Sequence, residues 1–167
     1  MAQLKPVTTG GLLRDVNDNF ASLSTPGSFS GLHLRRTAVA LFDADGTDNP
    51  LQATGAHALE VKLPAYAIIV GGVLDVVKAF TGETGATVGV SVASAGDIVD
   101  GTDVSGAPWS TTGLKAIIPK ANTPEVTGIK LTEDKAVTVT VASAALTAGR
   151  AVLYLDYYEG VATETGA

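Results

Sequence analysis

The chain has 167 residues and a formal net charge of −6, with 46% hydrophobic and 17% charged residues. That is too apolar for a disordered chain and enough for one domain of ordinary size. The acidic balance argues against nucleic-acid binding, and the absence of cysteine excludes disulfides, thiolate zinc sites and cysteine nucleophiles.

The start, Met1-Ala2-Gln3-Leu4-Lys5-Pro6, leads into threonines rather than an apolar stretch, so no secretory leader is expected. The longest apolar run, Leu63 to Leu74, is interrupted by Pro64, Gly71 and Gly72 and falls short of the ~20 residues that span a bilayer. These features predict a protein made in a cytoplasm, with neither membrane nor nucleic acid as partner.

The chain divides near residue 31. Before it, Leu12, Leu13, Val16, Phe20 and Leu23 recur at helical spacing, with Asp15, Asn17, Asp18 and Asn19 on the other side. This predicts a short amphipathic helix, capped by Thr8 or Thr9 and closed by Pro26-Gly27. Ser24 to Gly31 reads as a linker. Ordering about a dozen residues and burying five large apolar side chains nearly cancel in free energy. The arm is therefore expected to order only when its stripe packs on a partner, a sister subunit or the main domain.

After residue 31 the period changes to two. Val88, Val90 and Val92 alternate with Gly89 and Ser91, Val137, Val139 and Val141 with Thr138 and Thr140, and Leu153, Leu155 and Tyr157 with Tyr154, Asp156 and Tyr158. Further strands are predicted at 33–42, 58–63, 68–80, 114–118 and 128–131, with a bulge or bend at Gly71-Gly72. Turns are predicted at 43–46, 81–85, 100–101, 122–124 and 147–149. About eight strands without a helical pattern among them predict an antiparallel sandwich or barrel. The domain plan is an arm at 1–31, a β-sandwich at 32–160 and a flexible tail at 161–167.

Catalytic signals are absent. His33 and His57 have no fixed spacing to a carboxylate. Asp43-Ala44-Asp45-Gly46-Thr47-Asp48 fails as a calcium loop, because Asp48 stands where its sixth-position glycine belongs and Thr54 where its twelfth-position glutamate belongs. It reads as an acidic turn. Gly89-Val90-Ser91-Val92-Ala93 lacks the second glycine of a nucleophile elbow. No enzymatic activity, cofactor or metal is expected. Trp109, the sole tryptophan, follows Gly106-Ala107-Pro108. It either plugs the end of the sandwich core, the commoner role, or anchors a partner from an exposed loop. Tyr154 and Tyr158 share a strand face with Asp156 and are candidates for a partner contact.

The strand succession carries a resemblance. Leu32-His33-Leu34-Arg35-Arg36-Thr37-Ala38-Val39-Ala40-Leu41-Phe42 is followed by Leu59-Glu60-Val61-Lys62-Leu63-Pro64-Ala65. Ile68 to Val76, Phe80-Thr81 and Ala86-Thr87-Val88-Gly89-Val90 come next, then Lys135 to Val141 and Ala151 to Tyr158. This order resembles small structural proteins of tailed-phage virions, especially capsid decoration (cement) or head-fibre proteins with a jelly-roll-like sandwich. Val16-Asn17-Asp18-Asn19-Phe20 is similar to the N-x-N-F helix near the starts of phage fibre and tail proteins. The resemblance implies a non-enzymatic protein on the outer capsid surface that bridges capsomers. It implies a homotrimer, with the major capsid protein as partner and the arm residues Leu12, Leu13, Val16, Phe20 and Leu23 making the attachment. The alternatives are a tail or fibre adaptor of the same virion and a carbohydrate-binding module that stacks sugars on Trp109 and the C-terminal tyrosines.

Overall fold

The computed structural model describes residues 35–46, 50–120 and 128–160. The chain divides into two units, Met1–His33 and Leu34–Ala167. The expected arm helix, His33, Asp48, the 122–124 turn and the 161–167 tail lie outside the described residues.

Among the described residues the second unit holds eight strands: β1 (Arg35–Asp43), β2 (Gly55–Leu63), β3 (Ile68–Gly82), β4 (Thr87–Ser91), β5 (Val99–Asp103), β6 (Gly113–Ile117), β7 (Lys135–Ala142) and β8 (Leu146–Tyr158). A 3-10 turn at Pro50–Gln52 precedes β2. The strands form two four-stranded sheets, all pairs antiparallel. Sheet I has the order β1-β8-β3-β6 and sheet II the order β2-β7-β4-β5. The pairs β1·β8, β2·β7, β3·β6 and β4·β5 are successive segments of one long antiparallel ribbon. Alternate segments fall into opposite sheets, which makes the fold a jelly roll. The expected mainly β, jelly-roll-like sandwich is therefore observed.

Alternation builds the core. In sheet I the inward rows are Ala38, Leu155, Gly72 and Ile117, then Ala40, Leu153 and Leu74, then Phe42, Ala151 and Val76. In sheet II, Val88 and Val90 of β4 and Val137, Val139 and Val141 of β7 are buried, while Thr138 and Thr140 face the other way. Apolar surface removed from water drives the two layers together.

Three sequence expectations need correction. Asp100-Gly101 is not a turn but the middle of β5, which had no predicted strand. The turn lies just before it, where the buried Asp97 carboxylate accepts the N–H groups of Val92 (2.9 Å), Ala93 (2.8 Å) and Ser94 (3.0 Å). A Cβ on Gly89 would stand 3.0 Å from the Gly101 nitrogen, so the missing side chain at 89 lets β5 close onto β4. Thr147-Ala148-Gly149 is not a turn but part of β8. The chain reverses at Ser143, whose φ is +67°, and the Ala144 N–H donates to the Ala142 carbonyl. The 128–131 segment makes only an isolated bridge, Lys130 to Ile68, although Ile129 and Leu131 are buried. Gly71-Gly72 does coincide with a bulge, since the β3·β8 register shifts between Ile69 and Gly71.

Candidate functional site

The two sheets present different outer faces. Sheet II shows small side chains: Ala142 of β7, Thr87 and Gly89 of β4, and Gly101 of β5 border a shallow groove of about 230 Å³. Among the described residues it carries no large exposed hydrophobic side chain. Sheet I is the opposite. Val39 and Leu41 of β1 are 50% and 58% exposed, and Leu114 of β6 is 71% exposed. Ile68 and Val77 of β3 and Tyr154 and Tyr158 of β8 are also exposed, as is Ile118 one residue beyond β6.

Register gathers these residues. One outward row runs Val39, Tyr154, Val73 and Ala116 across the four strands, and the next runs Leu41, Val152, Asp75 and Leu114. The apolar surface continues round the edge strand β1. There Val39 and Leu41 border an open groove of about 720 Å³ whose other wall is Leu51, His57, Leu59 and Val61. Apart from Asp75 in the second row the face is apolar, and apolar faces rimmed by charge are the kind through which proteins associate.

Both ends of the face hold ion pairs. At one end Arg35 reaches Asp156 at 2.5 Å, and on the other side of the same strand end Arg36 reaches Glu159 at 2.7 Å. At the other, Arg150 pairs with Asp43 at 2.6 Å and Lys78 with Asp45 at 2.8 Å. The Asp45 N–H and the Arg150 guanidinium hold the Asp43 carboxyl below its usual range. The Lys78 ammonium and the Gly149 N–H do the same for Asp45. For Asp156 the Thr37 hydroxyl, donating at 2.6 Å, is the main cause and Arg35 the next. Asp43 and Asp45 of the acidic turn are thus engaged by the protein's own cations. Among the described residues no group of three or more His, Cys, Asp or Glu is arranged to hold a metal ion.

These depressed carboxyl values give a signed prediction. Each group stabilises the fold above its unfolded value of about 3.9, and loses that contribution as pH falls through its lower folded value. Thermal melts should be nearly flat from pH 7 to about pH 4 and decline below it. An Asp43→Asn/Asp45→Asn protein should melt lower at pH 7 and decline less below pH 4. The effect is small because these pairs face solvent and salt screens them. Equal acid slopes for the two proteins would contradict the assignment.

The sequence candidates fall unevenly on this surface. Tyr154 and Tyr158 lie on the outer face with Asp156, opposite the buried Leu153 and Leu155. Trp109 does not. It is 0% exposed, between Phe42 (ring centroids 6.0 Å apart) and Phe80 (5.2 Å), and its Nε1–H donates to Thr102 Oγ1 at 3.1 Å. It closes one end of the core and is not available to a partner, which also takes the central stacking residue from the carbohydrate-binding alternative. His57 is half-buried, with Nε2 2.8 Å from the Ala53 carbonyl oxygen. The arm residues Leu12, Leu13, Val16, Phe20 and Leu23 lie outside the described residues.

Sequence reasoning missed Val39, Leu41 and Leu114. The signal was present. Ala38-Val39-Ala40-Leu41-Phe42 is apolar at every position, and Val73 to Val77 is broken only by Asp75. A strand with one face in water alternates, whereas a run apolar on both faces belongs to a strand covered on both sides.

No protein-family model matches the sequence, and no curated protein matches it. Two solved structures share the architecture. One is a chain of the acid-stable capsid structure of Helicobacter pylori bacteriophage KHP30, with 19% identity and a TM-score of 0.50. That match covers 75% of this chain and 87% of the other. The second is a chain of the cyanophage Pam1 capsid asymmetric unit, with 20% identity and a TM-score of 0.52, covering 81% of this chain and 91% of the other. At such identity the likeness is one of fold.

Proposed function

We propose that this protein is a structural component of a phage virion, a decoration protein that binds the outer capsid surface and bridges neighbouring capsomers. The observation that carries the reading is the eight-strand jelly roll shared with chains of two phage capsid structures, over 87% and 91% of those chains. A rigid sandwich with an apolar outer sheet face, preceded by a stretch with an amphipathic stripe, suits a role in assembly. In this reading the stripe Leu12, Leu13, Val16, Phe20 and Leu23 attaches to the major capsid protein. Self-association, as a homotrimer, multiplies modest arm contacts into tight binding. Each bridge adds to the work of separating capsomers against the pressure of packaged DNA. The net charge of −6 suits a solvent-facing layer rather than a DNA-facing one.

The test mixes purified protein with shells that lack it. The expected result is stoichiometric binding across the head and greater heat resistance of the shells. Removal of residues 1–30 should abolish binding and leave the sandwich folded. No binding to the shell would end the decoration reading, and label confined to the tail would replace it with an adaptor role. Attachment that survives the truncation would end the assignment of the grip to the arm stripe.

A further inference from the structure

We infer that the outer face of sheet I is the surface through which this chain binds a second copy of itself. The inference goes beyond the proposed function: two like faces packed on each other close as a pair, so it rests neither on the homotrimer nor on attachment to a shell.

Three observations point to a covered face. The large exposed hydrophobic side chains of the described residues sit on sheet I or one residue beyond it, and none sits on sheet II. β1 is apolar at each position from Ala38 to Phe42, the pattern of a strand buried on both faces, whereas β7 of sheet II alternates valine with threonine. β1 is also an edge strand of sheet I, with the apolar groove beside it. Among the described residues no strand pairs with that edge. An apolar edge invites association, and natural folds normally charge it, twist it away or cover it.

Charge and size select a second copy as the occupant. Arg35 with Asp156 at one end, and Arg150 with Asp43 and Lys78 with Asp45 at the other, leave both ends of the face close to neutral. A like face therefore meets no net repulsion at either end, in either direction. The chain as a whole is acidic, so a strongly basic partner would gain more on its other surfaces. Nine residues of β1 and four strand widths give a face about 30 Å long and 19 Å wide. That is roughly 570 Å² per copy, or about 1,100 Å² for two, which clears the roughly 1,000 Å² of a specific interface.

The test is the mass of the purified full-length chain in solution, by light scattering and sedimentation, for wild type, Leu41→Glu, Leu114→Glu and Ala142→Glu. Leu41 and Leu114 are exposed on sheet I, and Ala142 is exposed on sheet II as the control. Wild type and Ala142→Glu should form oligomers. Each sheet I variant should weaken association by about 100-fold or more, because a second carboxylate would join Asp75 in the row Leu41, Val152, Asp75 and Leu114 on a face that loses its water. Circular dichroism should show all four equally folded. A second readout uses Leu41→Cys, the only thiol in the chain. Alkylation should be about tenfold slower at oligomer-forming concentration than on dilution to monomer.

Wild type that stays monomeric would overturn the inference, as would sheet I variants that associate normally. Loss of shell binding by Leu41→Glu with wild type monomeric would assign the face to the shell instead. Failure of shell binding with self-association intact would count against the proposed function alone.

Discussion

Trp109→Ala should destabilise the sandwich by about 3–5 kcal/mol, the usual cost of emptying a large aromatic site in a core. For a domain of this size that is a fall of roughly 10–20 °C in Tm. The ring is fully enclosed and joins three elements: Phe42 on β1, Phe80 on β3 and the connection between β5 and β6. Its backbone contributes too, because the Phe80 N–H donates to the Trp109 carbonyl at 3.0 Å. Truncation leaves that bond in place, opens a cavity between the two sheets and deprives the Thr102 hydroxyl of its indole donor. Trp109→Phe should retain most of the packing and lose only the indole hydrogen bond and part of the volume. Calorimetry of the three proteins measures the series. A Tm for Trp109→Ala within about 2 °C of wild type would show that this cluster does not hold the layers together.

Gly149→Ala should cost a comparable amount by a different route. Gly149 lies in β8 with φ at +142°, a conformation that L side chains rarely adopt. An added Cβ would run into the ring of Phe80. The backbone is also pinned from both sides. Its N–H donates to Asp45 Oδ1 at 3.0 Å, and its carbonyl accepts from the Ala44 N–H at 2.7 Å. It has no free path to a relaxed conformation, so strain of about 1–3 kcal/mol adds to the steric conflict. A double-mutant cycle with Phe80→Leu separates the two causes. If the ring is the obstacle, Phe80→Leu should cost less in the Gly149→Ala background than in wild type, with a coupling of about 0.5–3 kcal/mol. Strict additivity in urea melts would remove the steric account and leave backbone strain alone.

Both predictions concern one end of the sandwich, and local sequence signals announce them unequally. Trp109 stood out as the only tryptophan, but its neighbours Phe42 and Phe80 lie far from it in the chain, and nothing local indicates that they enclose it. Thr147-Ala148-Gly149 has the composition of a turn. It becomes strand because β3 pairs with it, Thr81 opposite Ala148 and Gly82 opposite Leu146, because the Ala44 N–H bonds the Gly149 carbonyl, and because Gly149 leaves room for the Phe80 ring above it. Asp100-Gly101 fails as a turn for the same kind of reason: its pairing partner, β4, supplies a glycine that lets the backbones approach.

The candidate surface was legible in part. Alternation in β8 placed Tyr154 and Tyr158 opposite Leu153 and Leu155, and the structure keeps them there. The unbroken apolar run of β1 carried the rest of the signal, but a run of that kind does not say what lies over its second face. Only the register across β1, β8, β3 and β6 joins Val39, Tyr154, Leu41 and Leu114 into one patch, and only the ion pairs show that both ends of the patch are balanced.

What the sequence determined by itself is therefore what depends on neighbours along the chain. The two-residue period sets which side chains share a strand face, and the Gly, Asp and Pro clusters set several of the reversals. The strand order, the enclosure of Trp109, the capture of β5 and the one-sided apolar face were decided only in the tertiary structure. They arise from pairings between segments as far apart as β1 and β8, whose free energy exists only once the ribbon has rolled up and both partners have left water.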